Sequence, residues 1–257
     1  MDKQVRATDS AGTESFDFVV VEEPLQIIVD GHPVAVTMRT PGHDAELALG
    51  FLLTEGVITS AGQVRKIDIE SKDHHALVFL QDDIAVDLGR LTRHVFTASS
   101  CGLCGKATID AIVSCLPPLP DGQSFRNDIL LEAPEKLREW QSTFTRTGGL
   151  HAAGIFGSDG TTHVVREDIG RHNAVDKVLG SALQSGICLS SSFLLVSGRI
   201  SFEIMQKALA GGIPLVAAIS APSSLAIEFA EQSNQTVVGF LRPPKFQVYS
   251  NATRVNY

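Results

Sequence analysis

The sequence predicts an α/β protein, α+β when taken whole, with a strand-rich first half and a second half in which helices and strands alternate. Two contrasting rhythms carry this expectation. Residues 16–80 hold short strand patterns and turn signals around a single helical stripe, while residues 134–241 step repeatedly from helix to strand. Between them, Pro117-Pro118-Leu119-Pro120-Asp121-Gly122 breaks any continuing element. The division expected is a flexible leader over 1–15, a β-rich N-terminal domain over 16–127, and an α/β domain over 128–257.

In order, residues 1–15 are polar and rich in Asp, Ser, Thr and Gly, the composition of a loose leader. Phe16–Val21 and Leu25–Val29 read as strands, and Asp30-Gly31 is a two-residue hairpin signal before Val34–Met38. Thr40-Pro41 is expected to open a helix with the stripe Ala45, Ala48, Leu49, Leu52 and Leu53, stopped by Gly56; His43 would fall in its first turn. Strands around Lys66–Glu70 and Ala76–Leu80 follow. In the second half a helix over Pro134–Phe144 precedes strands Ala152–Phe156 and Thr162–Arg166. Val175, Val178, Leu179, Ala182 and Leu183 share a helix face, and Phe193–Val196 is a strand. A helix from Ser201 to Gly211-Gly212, strand Leu215–Ile219, helix Ser223–Gln232 and strand Thr236–Leu241 complete the order. Such alternation describes largely parallel, buried strands, whose carboxyl ends are where ligands bind in open sheets.

Composition bounds the function. The chain has 257 residues, 44% hydrophobic and 19% charged, with net charge −8, which argues against a nonspecific nucleic-acid binder. Four cysteines are too few for a secreted disulfide scaffold, and the polar N-terminus lacks the apolar core of a signal peptide. No apolar run reaches the length of a membrane span. A cytoplasmic, non-membrane protein is expected.

The most informative stretch is Ser99-Ser100-Cys101-Gly102-Leu103-Cys104-Gly105-Lys106. Ile109, Ile112, Val113 and Leu116 recur behind it at helical spacing, so the thiols sit on a Gly-rich loop feeding a helix N-terminus. That placement, with Lys106, Arg93 and His94 nearby, lowers a thiol's pKa and favours the reactive thiolate. Three readings stand: sulfur or disulfide chemistry, half of a zinc site, or two packed thiols. Cys115 and Cys188 have no spaced partner and read as buried small apolar residues.

Three strand ends are polar or glycine-rich: Arg166–Asn173, Ser197-Gly198-Arg199 and Ser220–Ser224. Arg171 and His172 are candidates to hold an anion at a helix start, with Asp168 to orient either; a solvated helix entrance is the plain alternative. Ser197-Gly198-Arg199 places a hydroxyl, open backbone and a guanidinium before a helix, although no Walker or G-x-G-x-x-G pattern exists. Gly148-Gly149-Leu150-His151 is either a close-approach loop with a functional His151 or a tight turn with a packed histidine. Phe240-Leu241-Arg242-Pro243-Pro244-Lys245 either grips phosphates or solvates a strand exit.

Zinc needs three or four ligands, and no second C-x-x-C or H-x-E segment joins the pair. Deaminase chemistry would want H-x-E with P-C-x-x-C; here Ala153 stands two residues after His151 and Ser100 precedes Cys101. A thioredoxin-like motif would follow the first strand of a βαβ unit, which this one does not. Sulfur carriage fits the mobile glycine-flanked thiols better: a thiolate accepts a sulfane sulfur and the second thiol helps release it by exchange.

The octapeptide around the cysteines closely resembles a motif of the FdhD family. So do Thr147-Gly148-Gly149-Leu150-His151-Ala152-Ala153, the run from Arg166 to Lys177, and Val196-Ser197-Gly198-Arg199. Arg39–Asp44 is also similar, and the resemblance extends from about Phe16 to Ser250. It implies a cytidine-deaminase-like three-layer C-terminal domain. It also implies a sulfurtransferase that takes sulfur from a cysteine desulfurase and passes it to the molybdenum (or tungsten) bis-guanine-dinucleotide cofactor, a bound substrate, for formate dehydrogenase. By this likeness Cys101 carries the persulfide and Cys104 assists. Phe240, Leu241, Arg242, Pro243, Pro244 and Lys245 match the cofactor-binding segment, and His151, Arg171, His172, Ser197, Gly198 and Arg199 are further candidates. The resemblance also implies a homodimer, with no permanently bound metal. A cofactor-binding chaperone that moves no sulfur and a structural zinc protein remain as alternatives.

Overall fold

The computed structural model describes residues 1–82, 84 and 116–257. The cysteine pair at 101 and 104, Cys115, the run 86–100 and the helical stripe from Ile109 lie outside the described residues.

The N-terminus is ordered into a ribbon rather than a loose leader. β1 (Asp2–Thr8) and β2 (Glu14–Val20) pair antiparallel, with Val5 opposite Asp17 and Arg6 opposite Phe16. The turn explains why a polar stretch holds: the Asp9 carboxylate accepts the Ala11 and Thr13 amides at 2.8 and 2.9 Å, and Gly12 takes a positive φ. Polar composition hid the strand because no core face was needed to form it.

A four-stranded sheet follows in the order β4-β3-β6-β5, from β3 (Glu23–Val29), β4 (His32–Arg39), β5 (Val64–Glu70) and β6 (His75–Leu80). Asp30 and Gly31 both take positive φ, as a two-residue hairpin turn requires. Alternate residues Leu25, Ile27 and Val29 bury one face, joined by Val34, Ala76 and Val78. Helix α1 (Asp44–Thr54) packs on it. It begins later than Thr40-Pro41 suggests, since Gly42 and His43 are both left-handed and His43 is the cap rather than first-turn helix.

The second half is a six-stranded sheet in the order β13-β12-β11-β10-β8-β9. Its strands are β8 (His151–Gly157), β9 (Thr162–Asp168), β10 (Ser192–Val196), β11 (Leu215–Ala218), β12 (Thr236–Arg242) and β13 (Lys245–Ser250). Only β10–β11 and β11–β12 run parallel, so the sheet is mixed and the largely parallel expectation is corrected. The cause is local: β8 and β9 are joined by a tight turn held by Asp159, and β12 turns straight back into β13. β13 sets Phe246 and Val248 against the core and leaves Lys245 and Gln247 exposed, an alternation that sequence reasoning did not take as a strand.

Helices cover both faces. Phe193 and Leu195 point to one side, where they meet Leu130, Ala133 and Leu137 of α2 (Asn127–Glu139). Leu194 and Val196 point to the other, toward α4 (Arg171–Ser185), α5 (Phe202–Ala210) and α6 (Ser224–Gln232). This is a three-layer α/β/α arrangement. The single helix expected over 134–144 is two pieces. α2 starts earlier and keeps Pro134 inside because Leu130, Ala133 and Leu137 bury together; after Trp140 and Gln141, α3 (Ser142–Thr147) resumes.

The two halves share one apolar core through α1 and α4, which meet backbone to backbone at glycines. A Cβ on Gly50 would lie 1.8 Å from the Asp176 carbonyl oxygen, and one on Gly180 1.9 Å from that of Glu46. Residues 119–126 dock on the second half: the Leu119 amide donates to Ser233 O, and β7 (Phe125–Arg126) pairs with β14 (Val255–Asn256). Cys188 is exposed rather than buried, since it caps a short 3-10 turn and its carbonyl accepts the Ser191 and Ser192 hydroxyls.

Candidate functional site at the strand ends

The carboxyl ends of β9, β10, β11 and β12 and the start of the antiparallel β8 fall on one edge of the sheet. His151, first in β8, stands opposite Asp168, last in β9. The Ser197 amide donates to Ala152 O and the Ser197 hydroxyl accepts the Ala152 amide, both at 2.9 Å. Gly198 is thereby placed so that a Cβ on it would lie 3.3 Å from the His151 ring and 3.7 Å from the Arg171 side chain. Three segments far apart in sequence, around 151, 171 and 198, thus converge.

Arg171 and His172 occupy the first turn of α4. The β9–α4 turn that carries them is fixed from below by Asp168. This carboxylate accepts the Thr40 and Gly170 amides and the Asn173 carboxamide, and pairs with Lys177 at 2.7 Å. Asp168 therefore orients the turn, not the Arg171 or His172 side chains. Lys177 also donates to Thr40 O at 2.9 Å, and the Thr40 hydroxyl accepts the Ile169 amide, so the β4–α1 connection braces the same turn. Arg166, grouped with the anion candidates by sequence, is instead committed to Glu46 of α1 through contacts of 2.6 and 2.7 Å.

Both histidines are held neutral. Burial, then the Arg171 charge, lowers the His151 pKa against the opposing pull of Asp168. Burial lowers His172 further, to about 4, with Arg171 and Lys207 adding to the effect. The Arg171 Nε is buried without a hydrogen-bond partner among the described residues, while Glu203 lies 3.9 Å from the His172 Nε2 and, against the upward push of burial, has its pKa lowered by the Ser201 hydroxyl. A polar group left in that condition costs stability.

The last strand adds the outer wall. Phe240 has a positive φ, is 43% exposed, and its amide donates to Ser220 O. Leu241 is fully buried and anchors the segment in the core rather than facing the site. Arg242 donates through Nε to Ile219 O at 3.0 Å, while Arg199, Arg242, Pro243, Pro244 and Lys245 are exposed. The described edge therefore offers several cations, neutral imidazoles and open glycine backbone, a surface suited to a polyanion.

A cleft of about 450 Å³ opens beside His151 and Ser197 toward the α2–α3 junction, bounded by Gln141 and Phe144. Sequence reasoning missed this wall, which carries no motif. It also missed Glu167, whose carboxylate accepts the Thr143 and Phe144 amides and seats α3. The charge of residue 167 was visible; its partners were not. Gly148 caps α3 with a left-handed backbone, so the tight-turn reading of Gly148-Gly149 holds alongside a half-buried His151 that faces the site.

A model of the FdhD/NarQ family matches residues 20–256, which is nearly the whole chain. The chain belongs to the FdhD/NarQ family. Among its relatives, a protein of Streptomyces coelicolor is 46% identical, over 98% of this chain and 94% of the relative. One of Mycobacterium tuberculosis is 49% identical over 92% and 91%, and one of Sulfolobus acidocaldarius 43% identical over 98% and 96%. All three are named sulfur carrier protein FdhD. A crystal structure from Desulfotalea psychrophila, of a protein named for a formate dehydrogenase accessory role, superposes with a TM-score of 0.80 at 25% identity. It covers 100% of this chain and 99% of its own. The FdhD resemblance drawn from the motifs is therefore upheld. Among the described residues, no helix is long and apolar enough to cross a membrane.

Proposed function

We propose that this FdhD/NarQ chain is a cytoplasmic sulfur carrier that moves sulfane sulfur from a cysteine desulfurase to a molybdenum (or tungsten) bis-guanine-dinucleotide cofactor destined for formate dehydrogenase, working as a homodimer. The observation that carries the reading is the strand-end edge: a cationic, glycine-backed surface with an unsatisfied buried donor, in a chain whose relatives are named sulfur carriers. A dinucleotide cofactor is a polyanion, and Arg171, Arg199, Arg242 and Lys245 supply the charge to hold it.

In the first step the Cys101 thiolate attacks the terminal sulfur of the donor's persulfide. A new S–S bond forms, the donor's thiolate leaves, and no electrons are exchanged overall. In the second step the Cys104 thiolate attacks the Cys101 sulfur. Hydrosulfide departs toward the cofactor, Cys101 and Cys104 become a disulfide, and an external dithiol reduces that disulfide to two thiols while being oxidised to a disulfide itself. The fixed residues at the strand ends hold the acceptor still while the cysteines deliver.

The test is a single turnover. Protein loaded with radiolabelled sulfur on Cys101 is mixed with the cofactor, and label is followed from protein to cofactor. Label moving with bound cofactor supports the carrier reading. Cofactor that binds at the strand ends while the label stays on protein favours a cofactor-binding chaperone.

A further inference from the structure

Arg254 ends the short 3-10 turn Ala252–Arg254 that follows β13 and is 4% exposed, yet its guanidinium makes no ion pair among the described residues. A guanidinium carries five N–H donors. Here Nη2 donates to Pro120 O at 2.9 Å and Nη1 makes one 3.5 Å contact with Asn234 Oδ1, while Nε has no partner among the described residues. Burial lowers the Arg254 pKa against the opposing pull of the Asp121 charge. A charge taken out of water is costly unless an opposite charge and hydrogen bonds compensate it.

A pocket of about 330 Å³ opens against this side chain, lined also by Asp121, Gly122, Gln123, Ser124 and Thr253. Most of its free groups are donors. The Ser124 hydroxyl accepts the Asn256 carboxamide at 3.0 Å and so keeps its own proton to give. The Gly122 and Gln123 amides donate to no described group. Gly122 has a positive φ, and nothing lies within 4 Å of where its Cβ would stand, so a ligand can approach the backbone there. Thr253 adds an exposed hydroxyl. Asp121 is engaged elsewhere, accepting the Asn234 carboxamide at 2.9 Å. The pocket sits beside Asn234 at the amino end of β12, about 20 Å along that strand from the carboxyl-end site.

We propose that this pocket is a separate anion site, taking a small tetrahedral oxyanion of the phosphate or sulfate class as the counterion of Arg254, with the Ser124 hydroxyl and the Gly122 and Gln123 amides as further donors. An anion bound there ties residues 119–126, which follow the cysteine-bearing stretch in sequence, to the C-terminal turn. Arg254 already holds Pro120 O, and Asn234 donates to Leu119 O at 2.8 Å, so the anion completes an existing clasp. The site is independent of the proposed sulfur carriage, since none of its residues belongs to the strand-end edge.

Crystals of the full-length protein are soaked in selenate, a tetrahedral dianion that anomalous scattering locates. A peak beside Arg254 is expected, and it should vanish in Thr253→Glu, which leaves the Arg254 contacts in place and supplies a carboxylate of its own at the pocket. No peak at Arg254, whether or not the strand ends hold one, would overturn the site. In solution, thermal midpoints are compared in sulfate and in chloride at equal ionic strength. Sulfate stabilises folded proteins generally, so the readout is the excess gain of wild type over the variants. Arg254→Gln and Thr253→Glu should both lose that excess, and Thr253→Glu keeps the test decisive if Arg254→Gln does not fold. Equal gains in wild type and Thr253→Glu would also overturn the site.

Discussion

Asp168 and Lys177 form an ion pair 2.7 Å apart in which neither side chain retains exposed surface. Asp168 ends the strand that faces His151, and Lys177 lies about 1.7 turns into the helix that starts with Arg171 and His172. The pair thus locks strand, turn and helix into one unit beneath the candidate site, and both partners also bind the backbone of Thr40.

Breaking this pair from one side should be severe. Lys177→Met leaves a carboxylate buried with only neutral donors, a loss of about 3–5 kcal/mol. Urea unfolding should show that drop, and adding Asp168→Asn to the first substitution should cost much less than the sum of the two single changes. Additive losses would mean that the two residues do not act on each other.

Gly180→Ala sets two effects in opposition. Alanine in a helix interior gains roughly 1 kcal/mol of propensity over glycine. Here, however, the added carbon would sit 1.9 Å from Glu46 O and 2.8 Å from the Gly50 amide nitrogen, so α1 and α4 must separate. We expect a net loss of about 1–3 kcal/mol by thermal unfolding. A stabilised variant would contradict the backbone contact between the two halves.

Two groups with large shifts act on the pH dependence of stability in separate windows. His172 has its pKa lowered from 6.5 to about 4, chiefly by burial. Between those values the unfolded chain binds more protons than the folded one, so stability is full above about pH 6.5 and falls as pH drops toward 4, by at most about 3 kcal/mol. Burial pushes Glu46 up, but its Arg166 and His43 contacts outweigh this and bring it from 4.5 to about 2, so a second loss follows between those values. Urea midpoints measured from pH 7.5 to 4.5 should decline for wild type and decline less steeply for His172→Gln, the remaining slope including His151, whose pKa burial also lowers. Direct titration of the His172 ring by NMR should give a value near 4.

Most individual elements were legible because their signals are local. The Asp30-Gly31 hairpin, the stripe through Val175, Val178 and Leu179, and Ser223, whose side chain caps α6, each act over a few residues. Errors arose where distant partners decide the outcome. Pro134 marks a helix start by propensity, yet burial of Leu130 against the sheet draws the helix back to Asn127. β13 alternates Lys245, Phe246, Gln247 and Val248, a half-buried strand pattern that sequence reasoning passed over, and it pairs with β12. At the site, the motifs named His151, Arg171, His172 and Gly198, which the fold brings together. Gln141 and Phe144 were invisible because glutamine and phenylalanine beside a helix break signal nothing until the cleft around them is seen.

The central claim is that Cys101 carries sulfur, and intact-mass spectrometry tests it most directly. Wild type, Cys101→Ala and Cys104→Ala are incubated with a cysteine desulfurase and cysteine, then measured with and without reductant. The account predicts a gain of one sulfur on wild type that reductant removes, retained in Cys104→Ala and lost in Cys101→Ala. A gain lost only with Cys104→Ala would reverse the two roles. No added sulfur on any form would contradict the claim and turn attention to the cysteines as a metal site.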